Sequence, residues 1–326
     1  MNKKILTTVV ALLLLGFIFS AEAQQQAKTR RIALLSLGFG LQKENTAAFR
    51  EGLRSLGYFE GRNLMIEYCF AEGKPERLAV FVSELSRLNV ELIVSPSTEA
   101  IEAVKKANTS IPVVMASVSD PIGSGLITSL ANPGGNITGT TQVSNDVAGK
   151  RLELLKEVAP KISRVALLVQ RNHPPTRSLI PEMQEAAKTM KIAVQPFEIA
   201  TSEEFEAAFA AIKSARAEAL FIQNNTIFNP NVRPLAELAL KQRLPTTGGH
   251  PSFVVAGGMM FYGPDILALW RRSTYFVDKI LKGAKPADLP VEQPTKFELL
   301  INLKTAKQIG VTIPPNVLAR ADRVIK

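Results

Sequence analysis

Cysteine is almost missing from this chain: 326 residues contain one, Cys69, with two histidines and a single tryptophan. No internal disulfide can form, so packing must supply the stability even in an oxidising compartment. A Cys/His zinc centre is excluded on the same count, because His173 and His250 lie far apart with no ligand spacing. The usual motifs of catalysis are lacking too. Gly38-Phe-Gly40 is without the third glycine of a dinucleotide loop, no phosphate loop ends in Gly-Lys-Ser/Thr, and neither Gly-x-Ser-x-Gly nor Ser-x-x-Lys occurs. The expectation is a protein that is not an enzyme and needs no cofactor or metal.

After residue 23 no apolar run is long enough to cross a membrane. Before it, Lys3 and Lys4 form a basic start, Ile5 to Phe19 an apolar stretch, and Ala21-Glu22-Ala23 a small-x-small cleavage site. Residues 1–23 therefore read as a cleaved secretory signal, with export to the periplasm. Without a cysteine at the cleavage point, the exported chain is not a lipoprotein. Loss of Lys3, Lys4 and Glu22 takes the net charge from +10 to +9. A basic surface invites a nucleic-acid reading, but the cations are scattered as singles and pairs such as Lys105-Lys106, Lys150-Arg151 and Arg271-Arg272. Solvated helix faces explain that distribution better, and no nucleic-acid partner is expected. Cys69 lies in the strand-like Leu64-Met-Ile-Glu-Tyr-Cys-Phe70 and reads as a buried small hydrophobe.

What is present in quantity is repetition. Arg31-Ile-Ala-Leu-Leu35 returns as Arg164-Val-Ala-Leu-Leu168, and Ile111-Pro112 is answered by Leu244-Pro245 at the same offset. After the first copy the pattern predicts helices over 46–56, 75–88 and 99–107, alternating with strands at 64–70, 90–94 and 111–116. After the second it predicts helices over 177–190, 202–215 and 230–242, with strands at 192–199 and 219–222. Such alternation implies parallel strands with helical crossovers, hence an α/β protein of two similar doubly wound parallel-sheet lobes. The turn clusters Asn132-Pro-Gly-Gly-Asn136 and Ala256-Gly-Gly258 mark candidate hinges.

Ligands of open parallel sheets bind beyond the carboxyl ends of the strands. The segments at those places are polar: Ser36 to Gly40, Ser95 to Thr98, Ser117 to Asp120, Gln170 to His173, Gln223 to Thr226 and Gly248 to His250. If the lobes face one another, these six line a single cleft. The candidate contacts are Ser36, Gly38, Phe39, Ser97, Thr98, Ser119, Asp120, Asn172, Gln223, Asn224 and Tyr262. Ser97 and Thr98 precede a helix, whose free N–H groups suit an anion such as a carboxylate; either could equally serve only as its cap. Asp120 could accept from an ammonium or hydroxyl, or simply open a turn. Phe39, Phe228 and Tyr262 could wall the ligand or belong to the core. Asn172 and Gln223 are preferred to Arg171 and His173, because amides donate and accept without the cost of burying charge.

Asp120-Pro-Ile-Gly-Ser-Gly-Leu126, Asn132-Pro-Gly-Gly-Asn-Ile-Thr-Gly139, Gly149-Lys-Arg-Leu-Glu-Leu-Leu-Lys156 and Ala256-Gly-Gly-Met-Met-Phe-Tyr-Gly-Pro-Asp265 carry a resemblance, as does the stretch from Lys279 to Lys326. Together they make the chain resemble the ABC-transporter substrate-binding proteins of type I periplasmic fold, a family that includes tryptophan- and tyrosine-binding members. The resemblance implies a bilobal receptor with a three-crossover hinge, working with separate permease and ATPase chains and touching the membrane only through the permease. It implies binding positions at Ser97, Thr98, Asp120, Asn172, Gln223 and Tyr262, and a monomer that closes on an amino-acid-like or aromatic carboxylate. It divides the chain into 30–142 with 264–292 and 143–263 with 293–326. Where family members often carry Asn-Pro, this chain has Asn172-His173-Pro174. The alternatives are a receptor feeding a signalling partner, an enzyme on the same fold, and a sugar-responsive repressor; export and the lack of a DNA-binding helical head count against the last.

Overall fold

The apolar run of β1 (Arg30–Ser36) is buried on both faces, as only a strand between two helical layers can be. Ile32 and Leu34 enter one apolar cluster while Ala33 and Leu35 enter another, following the alternation of a strand. A computed structural model of the chain describes residues 29–40, 43–143 and 147–326. The expected signal, residues 1–23, lies outside the described residues.

From β1 the chain continues through α1 (Lys43–Ser55), β2 (Leu64–Phe70), α2 (Glu76–Arg87), β3 (Leu92–Ser95), α3 (Thr98–Lys106), β4 (Val113–Val118) and β5 (Ile137–Thr141). These strands form one parallel sheet ordered β2-β1-β3-β4-β5. The chain then passes to the second lobe with α4 (Ala148–Val158), β6 (Arg164–Gln170), α5 (Thr176–Thr189), β7 (Ala193–Ile199), α6 (Phe205–Ser214), β8 (Ala219–Ile222), α7 (Val232–Lys241), β9 (Thr246–Gly248), α8 (Ser252–Val255) and β10 (Met260–Pro264). Here the order β7-β6-β8-β9-β10 repeats that of the first sheet. Val165, Leu167 and Val169 enter one cluster and Ala166 and Leu168 another, as their counterparts in β1 do. The paired prolines also match: Pro112 O accepts from Ile93 N–H at 2.8 Å, and Pro245 O from Leu220 N–H at 2.9 Å.

Next, α9 (Ile266–Leu281) returns to the first lobe, where Ile266, Trp270, Phe276 and Val277 pack with Ile32, Leu34 and Phe49. The chain crosses a third time into β11 (Phe297–Asn302), antiparallel to β10, and finishes with α10 (Leu303–Ile309), α11 (Pro315–Leu318) and β12 (Arg323–Ile325). The three passages are laced together. Thr141 N–H donates to Glu292 O and Glu292 N–H to Gly139 O, both at 2.9 Å, while Asp265 N–H donates to Lys296 O at 3.1 Å.

Three sequence expectations shift. The candidate hinges at 132–136 and 256–258 are turns within the lobes; Asn136, for example, is tied to the Thr109 and Ile111 carbonyls. The helices expected from Ser202 and Pro230 begin as single 3-10 turns, Ser202–Glu204 and Asn229–Asn231. Cys69 is half-buried rather than buried, because β2 is the edge of its sheet. Burial, with the charges of Glu67 and Glu84, still pushes its thiol up to about 11, which disfavours the reactive thiolate.

Candidate ligand cavity between the lobes

The carboxyl ends of both parallel sheets face one cavity of about 70 Å³. Each of the six polar strand-tip segments supplies at least one lining residue: Ser36, Ser97, Ser117, His173, Asn225 and His250 are examples, one from each. The returning helix α9 adds an apolar wall of Ile266 and Trp270. Direct contacts draw the lobes together around it. His173 Nδ1 lies 2.6 Å from Glu99 Oε1, and Ser178 Oγ donates to Asp120 at 2.8 Å. Asn224 Nδ2 donates to Gln142 Oε1 at 2.5 Å, and Gln142 Nε2 in turn to Ser117 O at 2.6 Å.

Four buried side-chain atoms that line this cavity have no hydrogen-bond partner among the described residues: Ser117 Oγ, His173 Nε2, Asn225 Nδ2 and Thr226 Oγ1. Buried polar atoms are ordinarily paired, so this concentration, drawn from both lobes, marks where an incoming solute finds its partners. Asn225 is already oriented for the task, since its Oδ1 accepts from the Ile227 and Phe228 N–H groups at 2.9 and 2.7 Å.

The charges are few. Among the described residues Glu99 is the one carboxylate of the wall, which has neither lysine nor arginine. Burial alone would push its carboxyl up, but the His173 charge and hydrogen bond, helped by its own backbone N–H and the Ser97 hydroxyl, hold it below the usual range. His250 is pushed down to about 3, first by burial and then by the charge of Arg151, so it is neutral at ordinary pH. Its Nδ1 accepts from Ser252 N–H at 3.2 Å, which places the ring hydrogen on Nε2. Arg151 is itself buried, with Nε donating to Tyr262 O at 2.5 Å; burial lowers it to about 10, and it remains a cation.

Of the sequence candidates, Ser36, Ser97, Thr98, Ser119 and Asn224 line the cavity. Ser97 is also the cap of α3, its Oγ accepting from Ala100 N–H at 3.3 Å. Gly38 sits against the other lobe, where a Cβ would come within 3.0 Å of Thr226 O. The remaining candidates lie elsewhere. Phe39 is 56% exposed. Asp120 turns away to accept from Gly123 N–H and Ser178 Oγ, beside a second cavity of about 260 Å³. Gln223 holds the loop after β6, accepting from Gln170 N–H at 3.0 Å and exchanging hydrogen bonds with Thr176. Tyr262 lies inside the β10–β11 ladder, stacked on Phe297 at 6.1 Å, rather than beyond a strand end. Phe228 is core, edge-on to Phe205. Asn172 has a left-handed backbone (φ 60°) and an exposed side chain, and that turn brings His173 into the cavity instead. The cavity wall thus carries His173 where the sequence favoured Asn172.

A pair of matched α/β lobes with a polar cavity between their strand tips defines a bilobal receptor of the type I periplasmic-binding-protein fold. The chain belongs to the family described as ABC transporter substrate binding protein, whose sequence profile matches residues 40–325. Among characterised proteins, the tyrosine-binding protein of Clostridioides difficile is 24% identical over 263 residues, 81% of this chain and 75% of that one. A conserved domain protein from Vibrio cholerae superposes with TM-score 0.84 at 26% identity, covering 91% of this chain and 100% of the other. An ABC domain from Streptococcus pneumoniae in complex with L-Trp gives 0.83 at 24%, with the same coverage. A ligand-free, open substrate binding protein from Clostridium difficile gives 0.63 at 23%, covering 91% and 99%. Among the described residues no helix is long and apolar enough to cross a membrane.

Proposed function

We propose that this protein is a periplasmic receptor that closes on an amino-acid-like solute, with an aromatic side chain preferred, and hands it unchanged to the permease of an ABC importer. The observation that carries the reading is the set of four unpaired buried atoms contributed to one cavity by both lobes. A solute bridging Ser117 on one side and Asn225 and Thr226 on the other makes both sets of contacts only in the closed form, so binding energy goes into closure. Ser117, Asn225 and Thr226 together suit a carboxylate, and Trp270 with Ile266 suits an apolar or aromatic side chain. The tyrosine-binding relative and the L-Trp complex support the same choice of solute. Residues 1–23 act as the export signal, and the exported receptor works as a monomer.

Calorimetry with L-tyrosine and L-tryptophan tests the reading. Asn225→Asp keeps the acceptor that holds the Ile227 and Phe228 N–H groups but replaces the cavity-facing donor with an anion. Loss of a hydrogen bond to a charged group is worth about 2 kcal/mol, so affinity falls about 30-fold or more while the fold stays intact. Unchanged affinity would move the carboxylate elsewhere. The single tryptophan offers a second check, since Trp270 lines the cavity. Its emission is expected to change as either amino acid saturates the protein; calorimetric binding with silent emission would place the solute outside this cavity.

A further inference from the structure

His173 brings to the cavity a chemistry that the carboxylate and aromatic contacts leave unused. Its side chain is 4% exposed, Nδ1 lies 2.6 Å from Glu99 Oε1, and Nε2 is buried with no partner among the described residues. Glu99 collects further donors: Ser97 Oγ reaches Oε2 at 3.0 Å and Gln170 Nε2 reaches Oε1 at 3.4 Å. It also stands in the first turn of α3, where the helix N-terminus favours an anion. An ionised carboxylate only accepts, so the proton between the two groups belongs to Nδ1. In a neutral imidazole Nε2 is then a lone-pair acceptor, the opposite tautomer to that of His250. Near this acceptor stands the Glu99 carboxylate, and among the described residues no wall cation opposes a positive group.

We propose that His173 Nε2, fixed as an acceptor by Glu99, receives an N–H of the solute's ammonium group and makes this receptor select amine-bearing ligands. The choice of probes rests on the amino-acid reading above; the tautomer does not. Because Glu99 belongs to the first lobe and His173 to the second, the acceptor is assembled only as the cleft closes. Glu99 is the hydrogen-bonded partner, Arg171 is paired outward with Glu204 at 3.0 Å, and Asp120 is held by Gly123 and Ser178. Arg151 donates to Tyr262 O, and His250 is neutral.

The test compares wild type, His173→Gln and His173→Leu by calorimetry with L-tyrosine, tyramine and the deaminated analogue of tyrosine, at about pH 8. Wild type is expected to bind L-tyrosine about 10-fold or more tightly than its deaminated analogue. A glutamine can donate to Glu99 and still accept from the ligand, so His173→Gln keeps amine binding. His173→Leu weakens the two amines about 30-fold and spares the deaminated acid. Equal weakening of all three probes by His173→Leu overturns the proposal. Should none of the probes bind wild type, the amino-acid reading fails, and nitrogen NMR of the imidazoles at about pH 8 decides the inference. The chain has two histidines, so His173→Gln assigns the spectrum. A bare Nε2 on His173 upholds the inference, and a protonated Nε2 ends it.

Discussion

Trp270→Ala is expected to lower the stability of the protein by about 3–5 kcal/mol, the usual cost of emptying a large aromatic site in a core. Trp270 is 2% exposed, meets Phe49 edge-on at 6.0 Å, and packs in the cluster that joins α9 to β1. Its helix is donated to the first lobe by a segment that follows the second lobe's β10, so the same change loosens the attachment of one passage between lobes. Denaturant unfolding of the variant measures the loss. A change below about 1 kcal/mol would mean that α9 does not depend on this contact. Since Trp270 also walls the cavity, ligand affinity should fall with it, whereas a distant core truncation of similar cost should leave affinity intact.

Gly139→Ala is the second large effect. Gly139 adopts φ +127°, a region that L side chains rarely enter, and a Cβ there would lie 2.3 Å from Met115 O and 2.5 Å from Met115 N. Both clashes are with the backbone of β4, so no side-chain rotation relieves them. The site is where the β4–β5 register shifts, and Gly139 O also accepts the Glu292 N–H of the third passage. Strain and overpacking together are expected to cost about 3 kcal/mol or more and to lower the melting temperature by on the order of 10 °C. Gly149→Ala is the internal control. Its Cβ would meet Ala186 Cβ at an ordinary 3.6 Å within α4, where alanine is the better helix former, so stability should hold or rise slightly. Equal melting temperatures for the two variants would mean that β5 can leave β4 without penalty.

The pieces of this fold that could be read from the chain were those set by local pattern. The twin pentapeptides became β1 and β6 because an uninterrupted apolar run fits only a strand covered on both faces. The twin prolines became equivalent entries to β4 and β9. Polar segments after strands located the cavity because strand ends are where a parallel sheet leaves backbone and side chains uncommitted. Individual side chains were harder, for reasons visible at particular residues. Whether Asn172 or His173 turns inward depends on one left-handed backbone angle, which no periodicity encodes. Gln223 sits at a strand tip, yet its amide is consumed by Gln170 and Thr176. Asn225, two residues on, shows one half of its amide to the cavity only because Ile227 and Phe228 occupy the other. Trp270 carried no signal at all, since it reaches the site from the middle of a helix and through a long-range crossing.

The lacing of the three passages has a mechanical corollary. Two of the backbone bonds tie the first passage to the third and another ties the second to the third, so the strands at the waist move as one ribbon. Sliding or twisting one lobe past the other would shear those bonds, whereas folding along the ribbon leaves them whole. Closure is therefore expected to be a single swing, like a door on one pin, and a pair of distance labels placed across the mouth should report motion along one coordinate alone.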